Sequence, residues 1–234
     1  MFFIFAFARF IQIFAGMEAV TEKLIALLRE KSLVKQEVFA NTFRVFKLFK
    51  ESAQNIADEV NSQLFPNEQP VRLEYKEVDD FKFYLKFSGD VILMQMHTNV
   101  WTFGDNHKIY KSQYVEEDYR RAFCGKIMLF NFLSDSIKYN RINDTGYSMG
   151  RLFINRDNHF FMEGERQFGF LFDNFATSVI SQGITRYILQ QAMIYAIETD
   201  LVSDDYQTHK PVTVHEILGS DSPIATKKIV SDIL

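Results

Sequence analysis

The chain of 234 residues is poor in several residue types, and each shortage excludes something. It has one cysteine, Cys124. An intramolecular disulfide is therefore impossible, and a four-thiolate zinc site is excluded. It has only four prolines and ten glycines, which excludes collagen-like, linker-rich and low-complexity chains. Neither sign of charge dominates: 26 Lys and Arg stand against 30 Asp and Glu, a net charge of −4. That balance argues against a general nucleic-acid binder. No apolar run reaches the roughly 20 residues of a membrane-spanning helix. The most apolar stretch, Met1 to Gly16 (MFFIFAFARFIQIFAG), is interrupted by Arg9. It also lacks the marks of a secretory signal, because no Lys or Arg precedes Phe2 to Ala8 and Phe14-Ala15-Gly16 is a poor small-x-small exit. No internal repeat is visible.

What the chain does have is phenylalanine, 25 residues of it. Each ring buries about 150–250 Å², so the expected core is built of Phe. Periodicity places the elements. Val20, Leu24, Leu27 and Leu28 recur at helical spacing, and a second helix is expected over roughly Lys35 to Leu64, ended by Pro66. The period then changes to two. Val71 to Glu77 and Phe81 to Phe87 alternate, and Val91 to Thr98 is nearly all apolar, as a central strand would be. Glu116 to Tyr139 reads as a helix with Tyr119, Phe123, Ile127, Phe130, Leu133 and Ile137 on one face. Tyr147 to Asn155 and Phe160 to Glu163 read as a hairpin. Asp173 is placed to cap a long helix reaching about Leu201, and Pro211 to Ile217 reads as a short edge strand.

The expected fold is α+β: a single domain over 17–218, with a mainly antiparallel sheet of about five to six strands flanked by three to four helices. Residues 1–16 are set apart as an apolar N-terminal segment, either docked on the body or an extension upstream of a start at Met17. Residues 219–234 are expected to be a loosely held tail.

The chemistry-bearing residues form no strong motif. A helix-strands-helix-strand order is shared with the restriction-endonuclease-like nucleases, in which an acid-x-Lys triplet on the third strand holds a metal. Here Val91 to His97 has no acid and no lysine, and Glu74-Tyr75-Lys76 reads as a solvated strand face. His97 and His107, with Asp105 between them, have no fixed metal-ligand geometry. Alternation puts Arg151 opposite Glu163 across the hairpin, as a guanidinium clamp for an anion or as an ordinary cross-strand pair. Cys124 has no activating neighbours and reads as a buried thiol.

The functional expectation is a cytoplasmic, non-catalytic binding or sensor-like domain. It would take a small ligand or protein partner in a Phe-lined cleft between the sheet and the C-terminal helix. Trp101, His97, Arg151, His159 and Glu163 are the expected ligand-binding edges. A homodimer through the 173–201 helix is the expected assembly. No cofactor, metal or nucleic acid is implied, and membrane attachment is disfavoured. The alternative is a metal-dependent hydrolase using the same His and carboxylate positions.

Overall fold

The computed structural model describes residues 17–64, 71–164, 168–199 and 201. The expectations for 1–16, for a strand at 211–217 and for the tail at 219–234 lie outside the described residues.

The first long element is α1 (Leu33–Gln63). Val38, Thr42, Val45, Phe46, Phe49, Ala53, Ile56 and Ala57 are buried along it, at the three-and-four spacing that makes one helical face. Residues 17–27 are also α-helical, and the turn Leu28–Ser32 that joins them to α1 is a π-turn. The two expected helices are thus one continuous rod.

Six strands follow: β1 (Leu73–Asp79), β2 (Lys82–Phe87) and β3 (Asp90–Trp101), then β4 (Cys124–Leu133), β5 (Tyr147–Ile154) and β6 (Phe160–Gly164). They form one sheet in the order β1-β2-β3-β4-β5-β6, antiparallel throughout. The turns use residues that tolerate a left-handed backbone: Ser88 between β2 and β3, and Asn158 between β5 and β6, have φ of 49° and 66°. One face of the sheet carries Phe83, Leu85, Ile92, Met94, Met96, Ile127, Leu129, Leu152 and Met162, all buried. That face is covered by α1 and by the last helix, α2 (Gln182–Ile197), which also pack on each other. The α+β expectation, with its mainly antiparallel sheet, is what the chain forms.

The close fit of α1 to the sheet depends on Gly125. A Cβ there would stand 2.1 Å from Thr42 Oγ1 and 2.7 Å from Thr42 Cγ2. Thr42 is itself buried and donates to the Val38 carbonyl at 2.7 Å. Only a residue without a side chain lets β4 pass under the helix at this distance.

Two expected elements are corrected. The Glu116 to Tyr139 helix does not form: a short helix (Gln113–Glu117) and a 3-10 turn (Tyr119–Ala122) lead into β4, and a short helix (Ser134–Lys138) follows it. The stretch Ile127 to Leu133 is apolar on both strand faces, because one face is covered by helices and the other is half covered. A short run of that kind fits a helical face and a strand equally well, and pairing with β3 and β5 decides the matter. The C-terminal helix begins at Gln182 rather than Asp173. Its N-cap is Ser181, whose hydroxyl accepts from the Ile184 N–H at 3.4 Å. The residues before it run along β6 instead: Phe160 N–H donates to the Ser178 carbonyl and Met162 N–H to the Phe172 carbonyl. Phe172, Phe175 and Ile180 are buried by that course, and the edge of β6 is protected from pairing with another chain.

Candidate ligand-binding site

The outer face of the sheet lies opposite the helices. Strand alternation puts Lys126 and Met128 of β4, Arg151 and Phe153 of β5, and Phe161 and Glu163 of β6 on it. The segment 103–122 folds over one end of this face. Ile109, Val115, Ala122 and Cys124 are buried there with Phe153, Phe161 and Phe175. Phe103 meets Phe153 edge-on at 5.1 Å, and Phe161 meets Phe175 edge-on at 5.5 Å. Such pairs add about 0.5–1.5 kcal/mol each beyond their buried area. The rest of the outer face is half exposed.

Along the border between the covered and open parts runs a line of polar and aromatic groups. His97 meets Trp101 edge-on at 5.1 Å. The Lys126 ammonium sits 3.8 Å from the centre of the Trp101 ring. Burial, and secondarily the charge of Arg151, push the Lys126 pKa below its ordinary value. Arg151 donates to Glu163 at 2.6 Å, and the other Glu163 oxygen lies 3.5 Å from His107 Nε2. No carboxylate among the described residues forms an ion pair with Lys126. Trp101 also lines a hollow of about 550 Å³, with Lys35, Gln36, Phe39, Thr98 and Asn99.

Four of the five residues expected to edge a site therefore share this line: His97, Trp101, Arg151 and Glu163. Arg151 and Glu163 face each other as alternation predicts. They are substantially exposed, so the pair contributes under about 1 kcal/mol. His159 belongs elsewhere. Its Nδ1 bonds the Phe175 carbonyl at 3.0 Å, and its ring stacks on Tyr114 at 4.4 Å. Tyr114 is clasped from another direction by the Arg121 guanidinium, 4.3 Å from the ring centre. Its hydroxyl accepts from Asn155 Nδ2 and donates to Asp157, each at 3.0 Å. Burial, with the Asp157 charge against it, pushes the phenol up to about 12. Asn155 is fully buried and bonded on all sides, so this cluster braces the β5–β6 turn.

Two more of the described histidines have a ring nitrogen engaged by the backbone. His107 Nδ1 accepts from the Ile109 N–H at 3.3 Å, which leaves Nε2 to carry the proton toward Glu163. His97 Nδ1 accepts from the Asn99 N–H at 3.0 Å. Among the described residues no three His, Cys, Asp or Glu side chains stand together as a metal would require. Glu74 and Lys76 are exposed on β1, and Glu74 pairs with Lys86 at 3.0 Å. Cys124 is fully buried, and burial pushes its thiol pKa far up.

A Phe-lined cleft between the sheet and the C-terminal helix is the expectation, yet neither of the two hollows described is lined by α2. The first is the one beside Trp101. The second, of about 590 Å³, lies between the 107–112 segment and residues 170–178, with Phe161 and Phe175 in its wall and the Lys108–Asp173 ion pair at its rim. Sequence reasoning misses Lys126, because a helical reading of its segment hides the alternation that sets it beside Trp101 and Arg151. No described helix is long and apolar enough to cross a membrane.

Compared with known proteins, the chain matches no family model, and no curated protein and no solved structure matches it.

Proposed function

We propose that the chain is a binding module whose outer sheet face takes a small anionic ligand with a flat unsaturated part. The flat part lies against Trp101, and the anionic group sits between Lys126 and Arg151. One observation carries this reading: Lys126 is partly desolvated over the Trp101 ring, next to a second cation, with no carboxylate to offset it. Burial makes the Lys126 ammonium costly to keep charged, and an anion placed against it, within reach of the Arg151 guanidinium that already holds Glu163, relieves that cost. Aromatic rings favour ligands with a π-face. The reading keeps the non-catalytic expectation and moves the site from the helix–sheet boundary to the outer face. The hydrolase alternative has no specific observation in its favour.

The test uses the single tryptophan. Trp101 emission is followed while inorganic phosphate, a nucleoside monophosphate and an aromatic carboxylate are titrated in turn. A saturable change with one of the two ring-bearing anions, stronger than with phosphate, is the expected result. Lys126→Ala and Arg151→Ala should each weaken it at least about tenfold, as loss of a charged hydrogen-bonding partner does. Unchanged emission with all three probes, or a response that survives the Lys126→Ala/Arg151→Ala double substitution, refutes the proposal.

A further inference from the structure

Before α2 the chain runs along the edge of β6, anchored where the Phe160 N–H donates to the Ser178 carbonyl and the Met162 N–H to the Phe172 carbonyl. Residues 173–177 therefore stand against Phe161 alone, and this longer stretch has to bow away from the strand. Asn174 fixes the bow: its side-chain oxygen accepts from the Ala176 N–H at 3.2 Å, and its carbonyl accepts from the Thr177 and Ser178 N–H groups. The 3-10 turn Lys108–Lys111 borders the space under the bow. The hollow of about 590 Å³ lies between them, and its apolar lining includes the buried Ile109, Phe161 and Phe175. Phe170 and Leu171 also line it, and they are 86% and 45% exposed. Large apolar side chains left in water beside a concave apolar surface mark a place that a ligand covers.

The charged groups of the lining are already engaged within the protein. Lys108 pairs with Asp173 across the rim, and His107 Nε2 faces Glu163 at 3.5 Å. A charged ligand finds no free counter-charge there and competes with an ion pair at each point. The hydroxyls of Ser112, Thr177 and Ser178, by contrast, take part in no hydrogen bond among the described residues. Each can donate one bond and accept others. We propose that the hollow is a second ligand site, for a neutral and largely apolar small molecule that carries a hydroxyl, a carbonyl or an aryl N–H. The apolar body lies against Phe170 and Leu171, and the polar group meets the free hydroxyls. The site differs in place and in charge from the anion site beside Trp101, and either stands without the other.

The experiment uses two probes on the full chain. N-phenyl-1-naphthylamine is neutral and brightens in apolar surroundings, and its 8-sulfonate adds one negative charge to the same rings. Both are also titrated into the Lys126→Ala/Arg151→Ala variant, so that binding beside Trp101 does not contribute. The neutral probe should give a saturable rise at one molecule per chain in either background, and the sulfonate should bind the variant about tenfold more weakly. Phe170→Ala should weaken the neutral probe about tenfold, as loss of a ring from the contact does. Phe170 is exposed, so far-UV circular dichroism should show the fold unchanged. Thr177→Cys places a thiol in the lining, where N-ethylmaleimide should modify it and saturating probe should protect it. Cys124 is buried and does not compete for the reagent. Absence of saturable binding by the neutral probe overturns the proposal. So does binding that Phe170→Ala leaves unchanged, or a sulfonate that binds the variant as tightly as its neutral parent. A Thr177→Cys thiol that stays unreactive in the native protein overturns it as well, because another part of the chain then fills the hollow.

Discussion

The contact between Gly125 and Thr42 offers a direct test of how the helical layer sits on the sheet. A methyl group at position 125 would stand 2.1 Å from Thr42 Oγ1 and 2.7 Å from its Cβ and Cγ2. The threonine cannot turn away freely, because its hydroxyl is bonded to Val38 and the residue is fully buried. Overpacking of this kind costs about 1–3 kcal/mol, and the upper half of that range applies where backbone and helix must both shift. For a chain of this size about 2–3 kcal/mol lowers the melting temperature by roughly 5–10 °C. Thr42→Gly alone should cost about 1–2 kcal/mol, from helix propensity and lost methyl packing. If the two effects were independent, the Gly125→Ala/Thr42→Gly double variant would lose about 3–5 kcal/mol. Because the second change removes the obstacle to the first, the double variant should lose little more than Thr42→Gly does, a coupling of about 2 kcal/mol. Urea unfolding followed by far-UV circular dichroism measures all four proteins. Additive losses, or a Gly125→Ala variant within about 0.5 kcal/mol of wild type, would refute the close approach of α1 to β4.

Other expectations follow from the same geometry. Cys124 should resist a thiol reagent such as dithionitrobenzoate in the native protein and react fully in denaturant, because burial both shields the thiol and raises its pKa. Asp118 is held below its ordinary pKa, chiefly by hydrogen bonds from the Arg120 side chain, with Arg156 adding its charge. Its contribution is complete above the unfolded value of about 3.9 and is lost as pH falls through the lower native value. The stability gap between wild type and Asp118→Asn should accordingly be widest above pH of about 4 and close in stronger acid. The Lys126 side chain, followed by carbon NMR, should titrate below the ordinary lysine value. Arg151→Gln should bring it part of the way back, since burial is the larger cause. The native state then binds fewer protons than the unfolded one just below pH of about 10.4, so this group adds stability as pH rises there. Tyr114→Phe removes the acceptor of the buried Asn155 amide and should cost about 1–3 kcal/mol in urea unfolding.

The amphipathic α1 was legible because its buried positions recur over 31 residues, longer than chance spacing sustains. The hairpins β1–β2 and β5–β6 were legible because alternation is broken by clear turn residues, and the same alternation set Arg151 opposite Glu163. The strand β4 was not legible, since a run apolar on both faces carries no period of its own. With β4 went Lys126, and with Lys126 the character of the site. The start of α2 was likewise hidden, because Asp173 is as good a cap as Ser181 until Phe172 and Phe175 are needed along β6.

The residues by themselves therefore determined the class of fold, the Phe core and the cross-strand partners within a hairpin, all of which are local patterns of burial. Tertiary structure alone decided that a central strand lies where a helix also fits, and that a lysine from it rests on Trp101. Each of these depends on what a neighbour distant in sequence covers or leaves open, and local periodicity holds no record of that.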